Sequence, residues 1–182
     1  MPEPERSVLG PAFFNRDTVA VARELVGANL CRRIAPRRVI RARITETEAY
    51  DGPEDRACHA SKGETQRTTV MFGPPGVWYV YLCYGVHWML NVVTREKGFP
   101  AAVLIRGCDR VSGPGRLTRE LAIGRADNAI RAARARGLWI ERGPGGVPDD
   151  AVATGPRVGI GYAGEPWTSI PWRFRWRAGE RR

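Results

Sequence analysis

Lysine is almost missing from this chain. Only Lys62 and Lys97 occur among 29 basic residues, so a covalent mechanism through an imine has two side-chain candidates, both in loop-like stretches, besides the α-amino group. Histidine is as scarce, with His59 and His87 alone. The four cysteines, Cys31, Cys58, Cys83 and Cys108, show no C-x-x-C spacing, and neither histidine stands at a zinc-finger distance from them. No metal and no cofactor are expected. No apolar run approaches membrane-spanning length, no signal-peptide pattern opens the chain, and no repeat, linker or low-complexity segment divides it. These absences predict a cytoplasmic protein with reduced thiols, built as one domain over 1–182 with loose ends at 1–10 and 178–182.

Acid is also in short supply. Nineteen acidic residues face the 29 basic ones, giving a formal net charge of +10 and a pI of about 10.3. A GC-rich coding sequence would explain arginine over lysine, but not the excess of base over acid. Such a balance points to a polyanionic partner: nucleic acid, an anionic membrane or an acidic protein. Gly and Pro number 21 and 14, so many turns and modest regular structure are expected.

Asn15 and Asp17 can cap a helix over Thr18–Val26, ended by Gly27. Alternation predicts a hairpin of Asn29–Ile34 and Arg37–Glu48, with Ile40, Ala42 and Ile44 on one face and several arginines on the other. Val77–Tyr84 and Val86–Thr94 read as two strands joined by a tight turn at Tyr84-Gly85, and Ala101–Arg106 as another. Gly113-Pro114-Gly115 leads into a helix over Arg116–Ile123, and Asn128–Arg136 reads as a second. Leu138–Glu141, Ala151–Tyr162 and the tail through Trp176 return to extended structure. One α+β domain accounts for this order.

The informative stretch is Ile44–Asn91. It holds Tyr50, Tyr79, Tyr81 and Tyr84, both histidines, and five acidic residues before position 56. Glu46 and Glu48, two apart on a strand, point the same way, and in an unbroken register they continue the face of Ile40, Ala42 and Ile44. Paired carboxylates suit glycosidic bond hydrolysis, although an exposed acidic strand end gives the same spacing. Tyr79 and Tyr81 share one strand face while Trp78, Val80 and Leu82 share the other, which argues for a pocket wall of polar-tipped rings. Such planes stack on nucleobases, at roughly 1–3 kcal/mol per base. Tyr84, at a hairpin tip, has little to pack on and suits a wedge that fills the gap left by a displaced nucleotide.

The segments TETEAYDGPEDRACHA, MFGPPGVWYVYLCYGVHWMLNVV and AVLIRG, with the later GPGRLTRELAI and RVGIGYAGE, resemble the alkyladenine (3-methyladenine, methylpurine) DNA glycosylase family, in family order over nearly the whole chain. The resemblance implies a single mixed domain around a curved, largely antiparallel sheet with a protruding β-hairpin. It also implies a monomer that acts on double-stranded DNA and excises damaged purines by base flipping. By the family's motifs, Glu48 would activate the attacking water. Arg106 would hold that carboxylate and the attacked nucleotide's phosphate. Tyr50, His59 and Tyr81 would sandwich the flipped base, Asn91 would crowd the 2-amino group of normal guanine, and Tyr84 would intercalate. Arg67 and Arg116 are candidates for backbone contacts. Where some members carry Arg-Asn before MFG, this chain has Arg67-Thr68, so one polar contact differs.

Two other classes stay open on the residues alone. A non-catalytic nucleic-acid-binding protein would use the rings and arginines without turnover. A hydrolase of small nucleosides would need neither the Tyr84 wedge nor the charge.

Overall fold

The computed structural model describes residues 7–177. Helix is sparse: α1 (Pro11–Phe14), α2 (Thr18–Leu25) and α3 (Pro114–Glu120). The strands are β1 (Asn29–Ala35), β2 (Arg38–Asp51), β3 (Trp78–Cys83), β4 (His87–Val93), β5 (Ala101–Cys108), β6 (Val111–Ser112), β7 (Leu138–Glu141), β8 (Val152–Gly155) and β9 (Arg173–Trp176). They form one nine-stranded sheet in the order β3-β4-β5-β2-β1-β7, with β6 on β5, β9 on β2 and β8 on β9. Every pairing is antiparallel. The α+β reading and the single domain hold, and β3–β4 is the expected hairpin.

The sheet has two unlike faces, and strand alternation makes them so. Trp78, Val80, Leu90, Val92, Val103, Ile105 and Ala49 point to one side and join Val21, Ala22 and Leu25 of α2, Leu117 of α3 and Leu121 at its C-cap in the main core. A helix of seven residues does not hold alone in water; burying Leu117 and Leu121 contributes about 1.5–3 kcal/mol each. Asp17 caps α2 by accepting from the Ala20 N–H at 2.9 Å, as its position predicts. The opposite face carries Tyr79, Tyr81, Asn91, Leu104, Arg106 and Tyr50. Of the candidate residues, Tyr50, Tyr81, Asn91 and Arg106 lie there.

β2 serves both halves of this design by breaking its register. Ala42 and Ile44 belong to the helix-covered core, yet so does Ala49, and Thr47 donates its hydroxyl to Ala22 O of α2 at 2.7 Å. The parity reverses between Ile44 and Thr47, where the pairing with β5 shifts at Ile44/Glu46 and again at Glu46/Thr47. Such irregularities re-aim side chains next to functional sites. Glu46 and Glu48 therefore do not continue the face of Ile40, Ala42 and Ile44, as an unbroken strand would have it. They point to the opposite side.

Three further expectations are corrected. Asn128–Arg136 is not a helix: only short 3-10 turns occur, at Arg125–Asp127 and Arg134–Arg136. The intervening backbone pairs with β3 instead, through Trp78 N–H to Ile130 O and Ala129 N–H to Trp78 O, while the Val80 N–H donates to Asn128 Oδ1. Of Ala151–Tyr162 only β8 is extended, and the glycine-rich remainder coils towards the site. Leu9, expected in a loose end, is buried with its N–H donated to Ile140 O. The looseness expected of 1–6 and 178–182 lies outside the described residues.

Candidate active site

Glu48 is wholly buried, and three groups fix its carboxylate. Oε1 accepts from the Val158 N–H at 2.8 Å, and Oε2 accepts from the Tyr50 hydroxyl at 2.8 Å and from Arg106 Nη1 at 3.4 Å. Burial pushes the Glu48 carboxyl above the usual carboxylate range, against the Arg106 charge and these hydrogen bonds, which favour the ionised form. Glu46 does different work. Its Oε1 accepts from Arg106 Nε at 3.1 Å and from Arg173 Nε at 2.6 Å. One carboxylate thus aims Arg106, and Arg106 in turn reaches the other.

Tyr50, Arg106 and Val158, which hold Glu48, line a cavity of about 220 Å³ that Glu48 itself does not line, below the roughly 300–1,000 Å³ usual for drug-sized ligands. Its size suits one planar heterocycle. Tyr50, His59, Tyr79 and Tyr81 provide the rings. His59 and Tyr81 meet edge to face with centroids 4.6 Å apart, and Tyr79 lies 5.2 Å from Tyr81. His59 Nδ1 and the Tyr79 hydroxyl are hydrogen-bonded at 3.1 Å, leaving Nε2 for a ligand. Burial, then the Arg67 charge, pushes the His59 imidazole down to about 4, so it is neutral near pH 7. Asn91 lines the same cavity and donates Nδ2–H to Tyr79 O at 3.1 Å.

The hairpin tip stands at the rim. Tyr84 is 93 % exposed at φ +50°, next to Gly85 at φ +69°, and Val86 N–H closes the turn onto Cys83 O at 3.1 Å. A bulky residue with positive φ is costly and such strain gathers at functional sites. Arg67 is exposed, with its guanidinium 4.7 Å from the Tyr81 ring centroid. Arg116 is exposed on α3, two residues after Pro114 of the cavity lining. Among the described residues no cluster of three or more His, Cys, Asp or Glu could hold a metal.

Sequence reasoning missed the segment 157–162, more than 100 residues after Glu48. Arg157 is buried and ion-paired to Asp55, and donates to Ala49 O at 2.9 Å. Its guanidinium lies 4.8 Å from the Tyr50 ring and 5.1 Å from Trp172. Val158 supplies the N–H on Glu48, and Ile160 and Tyr162 line the cavity. The fifth tyrosine therefore joins the other four, and all five line one cavity. The only prior signal was the RVGIGYAGE motif itself. Asp51, by contrast, is structural: it accepts from Arg95 at 2.7 Å and Thr18 at 2.6 Å.

The family described as Methylpurine-DNA glycosylase (MPG) matches residues 12–112 and 108–180. A protein of Anaeromyxobacter dehalogenans (strain 2CP-C) is 50% identical over 173 residues, covering 91% of this chain and 82% of its own. One from Myxococcus xanthus (strain DK1622) is 47% identical over 91% of this chain and 88% of its own. One from Methanocella arvoryzae is 43% identical over 92% and 91%. Each carries the name "Putative 3-methyladenine DNA glycosylase". With a family match across most of its length and these identities, the chain belongs to the methylpurine-DNA glycosylase family, DNA-repair hydrolases of N-glycosidic bonds that remove alkylated bases.

Proposed function

We propose that this protein flips a damaged purine out of duplex DNA into the ring-lined cavity and hydrolyses its N-glycosidic bond, with Glu48 activating the water. Substrates are of the 3-methyladenine, 7-methylguanine, hypoxanthine and ethenoadenine type. The observation that carries this reading is a buried, triply held carboxylate directly behind a cavity of one-base size.

Glu48 takes a proton from water as the water oxygen bonds to the deoxyribose C1′. The C1′–N bond breaks with its electron pair going to the base. An N-alkylated purine is cationic and leaves as a neutral molecule, and rings such as Tyr50 and Tyr81 favour that cation. A neutral base such as hypoxanthine leaves as an anion unless a proton or hydrogen bond reaches it. Arg106 steadies the carboxylate and a nearby phosphate, and Asn91 crowds a 2-amino group. Tyr84 fills the vacated stack, while Arg67 and Arg116 meet phosphates.

Neither Lys62 nor Lys97 lines the cavity, which supports a monofunctional enzyme that leaves an abasic site without cutting the strand. Every proposed role falls on one chain, which suits a monomer. No helix is long and apolar enough to cross a membrane among the described residues.

The test uses duplexes with one hypoxanthine or one 3-methyladenine-type lesion, incubated with wild type and Glu48→Gln and then treated with hot alkali. Strand breaks with wild type, and a loss of about 10²–10⁴-fold in the variant with binding retained, are the expected result for a general base. Tight binding without breaks from any lesion overturns the enzymatic reading.

A further inference from the structure

Tyr162 is a large aromatic left 71 % exposed at the edge of the cavity. Exposed single apolar residues are ordinary, but this one is held in place. Its hydroxyl donates to Ala57 O at 3.0 Å, and among the described residues its ring makes no ring–ring or cation–π contact. Ala57 also lines the cavity and packs with Ile160 and Ala163 on either side of Tyr162 in the chain. The short turn Gly161–Ala163 therefore presents a tethered ring rather than a swinging one. A fixed ring loses little entropy on receiving a partner, which is the benefit of preorganisation.

Its position says what that partner is. The closed end of the cavity is made by Tyr50, Tyr79 and Tyr81, which are largely buried. The open end is made by Tyr84 on the hairpin and by Val158 and Tyr162 of the 157–162 segment, all exposed. A base seated between the inner rings leaves its sugar at the open end. Resting on the function proposed above, we infer that Tyr162 is a second DNA-contacting aromatic, whose ring packs against the deoxyribose of the extruded nucleotide at the open end of the cavity. Tyr84 keeps the nucleotide from returning to the stack, and Tyr162 holds it in the mouth. The same segment donates Val158 N–H to Glu48, so one piece of backbone carries both the sugar contact and a hydrogen bond to the carboxylate that activates the attacking water.

The test separates extrusion from base release. Duplexes carry one damaged purine with 2-aminopurine beside it, whose fluorescence rises when its neighbour leaves the stack. Wild type, Tyr162→Ser and Tyr162→Phe are compared by this signal, by single-turnover base release, and by binding to undamaged duplex. Tyr162→Ser should lower the extruded fraction and the affinity for the damaged duplex about tenfold, as expected for one lost apolar contact. Binding to undamaged duplex, which rests on phosphate contacts, should change by less than about twofold. Tyr162→Phe keeps the ring and should stay close to wild type.

Equal extrusion by wild type and Tyr162→Ser overturns the inference. So does a Tyr162→Phe as defective as Tyr162→Ser, which would make the Ala57 tether the whole role. If wild type extrudes the nucleotide but releases no base, the catalytic proposal fails while the Tyr162 contact is still judged on extrusion. If it does neither, both fall.

Discussion

Tyr50 donates its hydroxyl to Glu48 Oε2 at 2.8 Å while its ring lines the cavity. The two residues are neighbours on the same face of β2, so one side chain both presents a surface to the base and holds the carboxylate behind it. Tyr50→Phe separates these duties. It removes a donor to the ionised carboxylate, so the Glu48 carboxyl, already raised by burial, rises further. Because a general base must be ionised, the acid limb of the rate of base release should move to higher pH, with the plateau at high pH nearly kept. Single-turnover rates across pH check this; an unmoved limb means the hydroxyl does not act on Glu48.

His59 gives the opposite sign. Its imidazole is neutral in the folded protein down to about 4, below its ordinary 6.5. A group with a depressed folded pKa contributes stability that is present above the unfolded value and lost as pH falls through the folded one. Between about pH 6.5 and 4, wild type should therefore lose thermal stability faster than His59→Gln. Melting temperatures at a few pH values in that window decide it, and parallel slopes would contradict it.

At the hairpin tip, stability and binding should part company. Tyr84 sits at φ +50° and is 93 % exposed, so Tyr84→Gly relieves a backbone cost without losing packing. Melting should show a change of about 0 to +1 kcal/mol. Affinity for a lesion duplex should nonetheless fall about tenfold through the lost ring. A variant that binds as well as wild type removes the wedge from the mechanism.

Arg157 and Asp55 form the one charged pair in which both side chains are fully buried among the described residues. Removing a single partner leaves an uncompensated charge inside the protein, so Arg157→Ala should cost about 3–5 kcal/mol of stability. Denaturant unfolding measures that. In whatever fraction stays folded, base release should fall more than lesion binding, because Arg157 precedes the Val158 N–H on Glu48 and backs the Tyr50 ring.

The parts legible in the sequence are those that local rules decide. Alternation placed β1, β2 and β9, aromatic and β-branched content placed β3, and an apolar run placed β5, while period two within β3 separated Tyr79 and Tyr81 from Trp78 and Val80. The Asp17 cap and the Tyr84-Gly85 turn were visible because single residues determine them. Asn128–Arg136 was misread because its spacing suits a helix, whereas the β3 backbone and the Asn128 side chain compete for its hydrogen bonds. The facing of Glu46 and Glu48 depends on a double register shift against β5, and no pattern within β2 records it. Arg157, Val158 and Tyr162 reach Glu48 and its cavity only through the fold, from the far end of the chain.

The gathering of all five tyrosines around one cavity, with none of the six tryptophans lining it, divides the molecule by chromophore. Indole signals belong to the scaffold and phenol signals to the cavity. Fluorotyrosine incorporated throughout would yield five resonances, each sensing cavity occupancy from a different wall, with no mutation and no signal from elsewhere. Folding and ligation can thus be followed separately in one unmodified sequence.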